Sequence, residues 1–167
     1  MPSNVGRVLA FDPGFERLGV AVVEKNTPTG GGKEVLLHSE CIRTNSKTRF
    51  EDRLLVLGHA VEELIAQWQP GCIALEDIYF AKNEKTAIKI AEVRGVLSYL
   101  AVVHKLRLFQ YTPLEVKVAI TGYGRSDKAA VAAMIPKLVA LPKRARLDDE
   151  MDAIAIGLTC LASARLV

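Results

Sequence analysis

Short apolar runs bounded by turn-forming residues dominate the first part of the chain. Residues 8–11 are such a run, and they end at an Asp-Pro-Gly turn at residues 12–14. Residues 18–24 and 34–42 have the pattern of two further strands. Residues 27–32, rich in glycine and threonine, are typical of a flexible hairpin tip. We expect these three strands to form an antiparallel meander.

The rest of the chain alternates helical spacing with short apolar runs. Helical spacing predicts helices over residues 50–67 and 85–103, a short helix from Pro113, a helix around residues 131–139 and a last helix from about Asp148. Residues 72–76 and 106–111 are typical of buried strands. The order βββαβαβααα predicts an α/β fold, a mixed five-stranded sheet in which an antiparallel β-meander is joined by parallel strands and flanked by helices. This order resembles that of ribonuclease H-like domains.

Composition fits a single globular domain over residues 1–167. Half of the residues are hydrophobic and a quarter are charged, which argues against disorder. The net charge is +3, an excess that is compatible with a nucleic-acid partner but does not require one. From Val103 onward the chain has ten Lys and Arg against six Asp and Glu, and four of those six acids fall between Asp148 and Asp152. The remainder of that half is therefore basic.

Cysteine usage and hydropathy point to the cytoplasm. Cys41, Cys72 and Cys160 have no metal-ligand spacing and sit in apolar runs, so we interpret them as core thiols in a reducing compartment. No run reaches the ~18 apolar residues of a membrane span, and the N-terminus lacks a signal-peptide pattern.

Four carboxylates carry the chemistry that the sequence predicts. Asp12 and Glu76 directly follow apolar strands, and Asp149 and Asp152 are three apart on the last helix. Burying such acids is costly unless they are paired, hydrogen-bonded or bound to metal. Mg²⁺ prefers carboxylate oxygens, and a pair of such ions can drive phosphodiester hydrolysis. Alternatively, Asp12 is a simple turn residue and Asp148 or Asp149 is a helix cap.

Motifs in order over nearly the whole chain resemble the RuvC family of crossover junction endodeoxyribonucleases. They are Asp12-Pro13-Gly14 with Leu18-Gly19-Val20-Ala21, Cys41-Ile42-Arg43-Thr44, the eight residues from Glu76 to Asn83, Arg94-Gly95-Val96, Val116-Lys117, Thr121-Gly122-Tyr123-Gly124-Arg125 with Asp127-Lys128, and Asp149-Glu150-Met151-Asp152-Ala153-Ile154-Ala155.

The resemblance implies a structure-specific endonuclease that resolves four-way (Holliday) DNA junctions in recombination and repair. Such an enzyme cuts symmetrically as a homodimer, leaves 5′-phosphates, and uses two Mg²⁺ ions per active site, for which Mn²⁺ substitutes. The implied catalytic and metal-binding residues are Asp12, Glu76, Asp149 and Asp152. The family spacing favours Asp149 over Asp148, which would then be the helix cap, and Glu150 should point elsewhere.

The resemblance also implies a DNA-binding set. Its members are Tyr79, Phe80, Lys82, Lys117, Arg125 and Lys128. Tyr79 stands where the family places an aromatic that wedges against unstacked bases, although either of the two rings could be the wedge and both could pack in the core. Arg125 could equally belong to a solvated basic face, and residues 143–146 are either a DNA-arm contact or a solvated loop.

The helix over residues 85–103 is apolar on two sides. Ala87, Ile90, Ala91 and Leu97 form one expected stripe, and Val93, Val96, Leu100 and Val103 form the other. One stripe can cover the sheet. The second is covered by a second subunit, as the family implies, or by the C-terminal helices. The resemblance further implies a branch-migration helicase complex as a partner.

Three other functions remain open on the residues alone. A related ribonuclease H-like nuclease could act on another substrate such as RNA. A non-catalytic junction-binding module could use the same scaffold, although four retained acids would weaken DNA binding. An actin-like or sugar-kinase-like ATPase needs a second domain, for which this chain is too short.

Overall fold

A computed structural model describes residues 4–26, 32–77 and 84–164 of the chain. The described elements follow one another as strands and helices with these bounds: β1 (Asn4–Asp12), β2 (Arg17–Glu24), β3 (Glu34–Arg43), α1 (Phe50–Trp68), β4 (Pro70–Glu76), α2 (Glu84–Val103), β5 (Arg107–Tyr111), α3 (Pro113–Thr121), α4 (Lys128–Leu138), β6 (Val139–Ala140) and α5 (Asp148–Ser163).

The sheet has the strand order β5-β4-β1-β2-β3-β6. β1, β2 and β3 pair antiparallel, which confirms the expected meander. β4 adds parallel to β1, and β5 adds parallel to β4. The carboxyl ends of β1, β4 and β5 therefore share one edge of the sheet, where loops and ligands collect in such folds.

The predicted strand count is wrong by one in the described part of the chain. A sixth strand, the two-residue β6, pairs parallel with the start of β3 at Glu34 and Val35. Helical spacing assigned Val139 to the preceding helix, because two residues are too few to show a strand period. Their conformation is fixed by the free edge of β3, which is a tertiary contact.

Two apolar cores lie on opposite faces of the sheet. On one face, buried residues of β1, β2 and β4 pack against α3, α4 and α5. On the other face, the alternate residues of the same strands pack against α1 and α2. This alternation follows from the two-residue period of a strand buried on both sides.

Helix α2 is apolar on two sides, but each of the two expected stripes contains both buried and exposed residues. Its buried side consists of Val93, Leu97, Leu100 and Ala101, which mixes members of both stripes. Its exposed apolar residues are Ile88, Tyr99, Val102 and Val103. These buried residues follow the spacing i, i+4, i+7 and i+8 of one helical face, and each expected stripe took in only part of that face. The C-terminal helices pack on the other face of the sheet, so they do not cover this surface.

Across the described ranges, no helix combines the length and the apolar character that crossing a bilayer requires.

Candidate active site

Asp12 is the last residue of β1 and is followed by a braced turn. A side chain at Gly14 would overlap the backbone carbonyl of Arg17, so the tight turn requires glycine there. The buried Arg53 donates to the carbonyl oxygen of Phe15 at 2.9 Å and to Thr44 Oγ1 at 2.9 Å. Asp12 is thus a turn residue, and it is also a half-buried carboxylate held at a fixed place.

Glu76 ends β4 beside Asp12. Because Phe11 of β1 is the parallel partner of Leu75 in β4, the two acids stand one residue further along neighbouring strands. Arg94 of α2 donates to the backbone carbonyl of Glu76 and pairs with Asp77 at 3.3 Å. The end of β4 is therefore held from the α2 side.

Asp149 and Asp152 reach the same edge from the first turns of α5. The first turn of α5 packs on Gly19 of β2, which is the antiparallel partner of Asp12. A Cβ at Gly19 would overlap the backbone carbonyl of Asp149 and lie 3.2 Å from the Cβ of Asp12. Gly19 thus allows the last helix to approach the end of β1, a role that no local pattern in the sequence indicates.

The four acids perturb one another electrostatically. Burial, with the charges of Glu76, Asp152 and Asp149, raises the pKa of Asp12 from 3.8 to about 7. Burial and the charge of Asp152 also raise the pKa of Glu76. A carboxylate cluster with raised pKa values is the electrostatic environment that a bound cation relieves.

Two basic side chains neutralise the acids of α5 in this structure. Arg17 lies 3.5 Å from Asp149, and Lys128 Nζ lies 3.0 Å from Asp152. As the side chains stand, the described residues hold no group of three His, Cys, Asp or Glu tight enough to bind a metal ion. Each of these ion pairs offsets part of the repulsion among the neighbouring carboxylates.

The neighbours of Asp149 on α5 have other roles. Asp148 is not the cap: the helix begins at Asp148, and its N-cap is Leu147. The Asp148 side chain is 84% exposed and lies 3.4 Å from Lys128, and its charge is not among those that shift the pKa of Asp12. Glu150 points elsewhere as expected, buried and paired with Arg144 at 2.6 Å.

Two of the predicted basic residues line a cavity with two of the acids. The cavity measures 200 Å³, and its charged lining residues are Glu76, Asp152, Lys117 and Lys128. Arg125 is exposed in the turn before α4. That turn is held by Thr121, whose hydroxyl lies 2.7 Å from Ser126 Oγ. The predicted DNA contacts Tyr79, Phe80 and Lys82 lie outside the described residues.

Two interpretations from the sequence need correction. Cys72 and Cys160 are buried, but Cys41 is half-exposed and its Sγ lies 3.9 Å from Asp149 Oδ2, so it is not a core thiol. The basic run at residues 143–146 is not simply a solvated loop, since Arg144 and Arg146 fold back onto β3.

Some neighbours of the acids were missed at the sequence level. Arg17 and Arg53 appear in the sequence as ordinary charged residues, and Arg94 appears only within a family motif without a role; the positions of the strand ends reveal their partners. A pattern of charge alone could not have found them.

A three-stranded meander extended by parallel strands, with carboxylates from β1, β4 and α5 at one edge, defines a ribonuclease H-like domain with an acidic centre. The family model described as "Crossover junction endodeoxyribonuclease RuvC" matches residues 8–160. The chain is 36% identical to a crossover junction endodeoxyribonuclease RuvC of Caldicellulosiruptor saccharolyticus, over 96% of this chain and 95% of that protein. It is 38% identical to the RuvC of Ruminiclostridium cellulolyticum, over 90% and 89%.

A solved structure shows the same architecture. Thermus thermophilus RuvC, in complex with a Holliday junction substrate, superposes with a TM-score of 0.88 at 29% identity, covering 96% of each chain. The chain therefore belongs to the RuvC family of crossover junction endodeoxyribonucleases.

Proposed function

We propose that this chain is a structure-specific endonuclease that resolves four-way DNA junctions by symmetric, metal-dependent phosphodiester hydrolysis in recombination and repair. The observation that carries the proposal is the convergence of carboxylates from β1, β4 and α5 beside a cavity that Lys117 and Lys128 share. Membership of the RuvC family makes the four-way junction the substrate. Residues 1–167 act as one catalytic domain.

The chemistry of the acidic cluster fits hard divalent cations. Asp12, Glu76, Asp149 and Asp152 offer only carboxylate oxygens, the ligands that Mg²⁺ and Mn²⁺ accept. The raised pKa of Asp12, caused by burial and neighbouring carboxylates, supports a cation at this place. We propose two Mg²⁺ ions, replaceable by Mn²⁺; when bound, they supply an activated water and stabilise the leaving oxygen. The four acids are then the catalytic set.

Protein side chains position the DNA around this centre. Lys128 pairs with Asp152 and Asp148; with cations bound at Asp152, its charge would be available to the scissile phosphate. Lys117 faces the same cavity and binds the same phosphate. Arg125 is exposed and contacts the DNA backbone. Tyr79, Phe80 and Lys82 follow Glu76 along the chain, where a ring can stack on an unpaired base.

Symmetric cutting requires two such sites, and α2 offers a surface for pairing. Ile88, Tyr99, Val102 and Val103 are exposed on α2, and Tyr99 and Val102 are 68% and 76% accessible. An apolar face of this kind on a surface helix is typical of a subunit interface. We propose a two-fold homodimer through α2, acting in the cytoplasm with a branch-migration helicase complex.

The test is a substrate panel with Mg²⁺. The protein is incubated with a mobile four-way junction, a linear duplex of the same sequence and an RNA–DNA hybrid. We expect nicks in the junction alone, with 5′-phosphate ends. Asp149→Asn should abolish them, whereas Asp148→Asn, the matched neighbour on the exposed side, should cut at nearly the wild-type rate.

Each other outcome assigns a different function. Preferential cutting of the hybrid would keep the metal chemistry and overturn the junction substrate. Junction binding without cutting in either Mg²⁺ or Mn²⁺ would identify a non-catalytic binding module. Loss of cutting in Asp148→Asn but not in Asp149→Asn would reassign the fourth carboxylate.

A further inference from the structure

A cluster of charged and polar side chains around the buried Glu150 and Ser39 ties the start of α5 to β3. Glu150 is 5% exposed and its Oε2 lies 2.6 Å from Arg144 Nη2. Ser39 Oγ of β3 donates to the same carboxylate oxygen at 2.9 Å. Arg144 Nη2 donates to the Ser39 carbonyl at 2.6 Å, and Arg146 Nε donates to Ser39 Oγ at 3.2 Å. We call these four residues the Ser39 clamp.

The Ser39 clamp fixes the rotation of the helical turn that carries two of the acids. Successive residues of an α-helix are about 100° apart, so tying Glu150 to β3 turns Asp149 toward β2 and the end of β1. Asp152 lies about 60° from Asp149 around the same helix by this geometry, which places both on one side. Glu150 is not among the described residues that line the cavity with Lys117 and Lys128.

The sheet register places the clamp next to the site. Ser39 and Cys41 are two apart on β3 and therefore share a face. Cys41 is the partner of Gly19, which in turn is the partner of Asp12. The Cys41 thiol lies 3.9 Å from Asp149 Oδ2. The Ser39 clamp thus contacts β3 two residues before Cys41, the position that is aligned across the sheet with Asp12 and lies beside Asp149.

Stability alone does not account for this cluster. The Glu150 carboxylate is buried while Arg144 is 44% exposed, and the desolvation of a buried charge opposes the attraction of its partner. A multiply hydrogen-bonded carboxylate does fix direction, because each bond constrains the orientation of the turn. Groups that orient metal ligands from behind typically change metal affinity when they are removed.

We propose that Glu150 is a positioning residue: held by Arg144 and Ser39, it orients the first turn of α5 so that Asp149 and Asp152 can take up divalent cations together with Asp12. It does not touch the substrate or the reacting phosphate. This inference rests on the proposed metal-dependent function, which it deepens by naming what sets the geometry of the carboxylates.

Mn²⁺ binding without DNA tests the clamp directly. The measurement is the affinity of the full chain for Mn²⁺ by electron paramagnetic resonance, for wild type, Glu150→Ala and Glu150→Gln. We expect Glu150→Ala to weaken Mn²⁺ binding about 10- to 100-fold, as is typical when groups that support metal ligands are removed. Glu150→Gln keeps an oxygen acceptor for Ser39 and Arg144, so it should recover part of that affinity.

A second ion pair provides the matched control. Glu24 pairs with Arg7 at 3.2 Å, part-buried at the other end of β1 and β2. Glu24→Ala should lower the melting temperature but leave Mn²⁺ affinity within about twofold of wild type, as a distant and independent site would. If Glu150→Ala fails to fold, Ser39→Ala removes one arm of the clamp without leaving a buried charge, and it should weaken Mn²⁺ binding as well.

The outcomes separate the clamp from the function it serves. Wild-type Mn²⁺ affinity in folded Glu150→Ala or Ser39→Ala would overturn the clamp, whatever happens to DNA. An equal loss of affinity in Glu24→Ala would overturn it too, because the effect would then be general destabilisation. A wild-type protein that binds Mn²⁺ but cuts no junction would refute the proposed function and leave the clamp measurement readable.

Discussion

Replacing Asp12 by asparagine should make the metal-free protein more stable at neutral and alkaline pH. Burial and three neighbouring carboxylates raise the pKa of Asp12 from 3.8 to about 7. Between pH 3.8 and about 7, the folded state therefore holds a proton that the unfolded chain has already lost. The stability that the protonated form contributes is fully present below pH 3.8 and is lost as pH rises through about 7. Asparagine has the same shape and never ionises, so it avoids that loss.

The magnitude follows from the two pKa values. Each unit between the folded and unfolded pKa corresponds to about 1.4 kcal/mol, so the loss in wild type approaches about 4 kcal/mol above pH 7. Linkage places about 2.5 kcal/mol of it between pH 5 and pH 8. The free-energy advantage of Asp12→Asn over wild type should grow by that amount over the interval.

Urea denaturation in EDTA at pH 5 and pH 8 measures this difference. Asp148→Asn is the matched control, because the Asp148 side chain is 84% exposed and its replacement should change stability by no more than about 0.5 kcal/mol. A pH-independent difference between Asp12→Asn and wild type would refute the electrostatic reasoning. So would an Asp12→Asn protein that is less stable than wild type at pH 8.

Three further predictions follow from single contacts. Gly19→Ala should cost about 1–3 kcal/mol of stability by overpacking and should abolish cleavage, since a methyl group there overlaps the backbone of α5. Gly58→Ala is the control: its added carbon meets α2 at an ordinary 3.6 Å, so it should stabilise the protein by up to about 1 kcal/mol. Calorimetry distinguishes the two variants. In EDTA, Lys128→Ala removes a charge that lowers the pKa of Asp12, so the loss of stability with rising pH should extend to higher pH in urea denaturation; an unmoved profile would contradict that coupling. Arg125→Ala should reduce the salt slope of junction binding by about 0.9, measured by fluorescence anisotropy, and an unchanged slope would show that Arg125 contacts no phosphate.

The order of elements could be predicted because each strand and helix carries its own local pattern. Apolar runs and helical spacing placed β1 to β5 and the five helices within a few residues. The two residues of β6 carry no such pattern, because they form a strand only against the free edge of β3. The division of α2 into faces failed because both sides of the helix are apolar, so hydropathy alone does not show which side the rest of the protein covers.

The carboxylates of the site could be predicted because an acid after an apolar strand is conspicuous. Asp12 and Glu76 stood out in this way, and their neighbouring strands bring them together. The long-range contacts that hold these carboxylates in place could not be predicted. The contact between Gly19 and α5, and the bonds of Ser39 to Arg144 and Glu150, join residues more than a hundred positions apart, and no local pattern marks such pairs.

The most direct test of the metal centre is an anomalous difference map from crystals of the protein grown with Mn²⁺. We expect two peaks about 3.5–4 Å apart, bound by Asp12, Glu76, Asp149 and Asp152. Lys128 should then no longer pair with Asp152. Peaks elsewhere, or none while Lys128 still pairs with Asp152, would contradict the proposal that these four carboxylates form the metal centre of a junction-cutting enzyme.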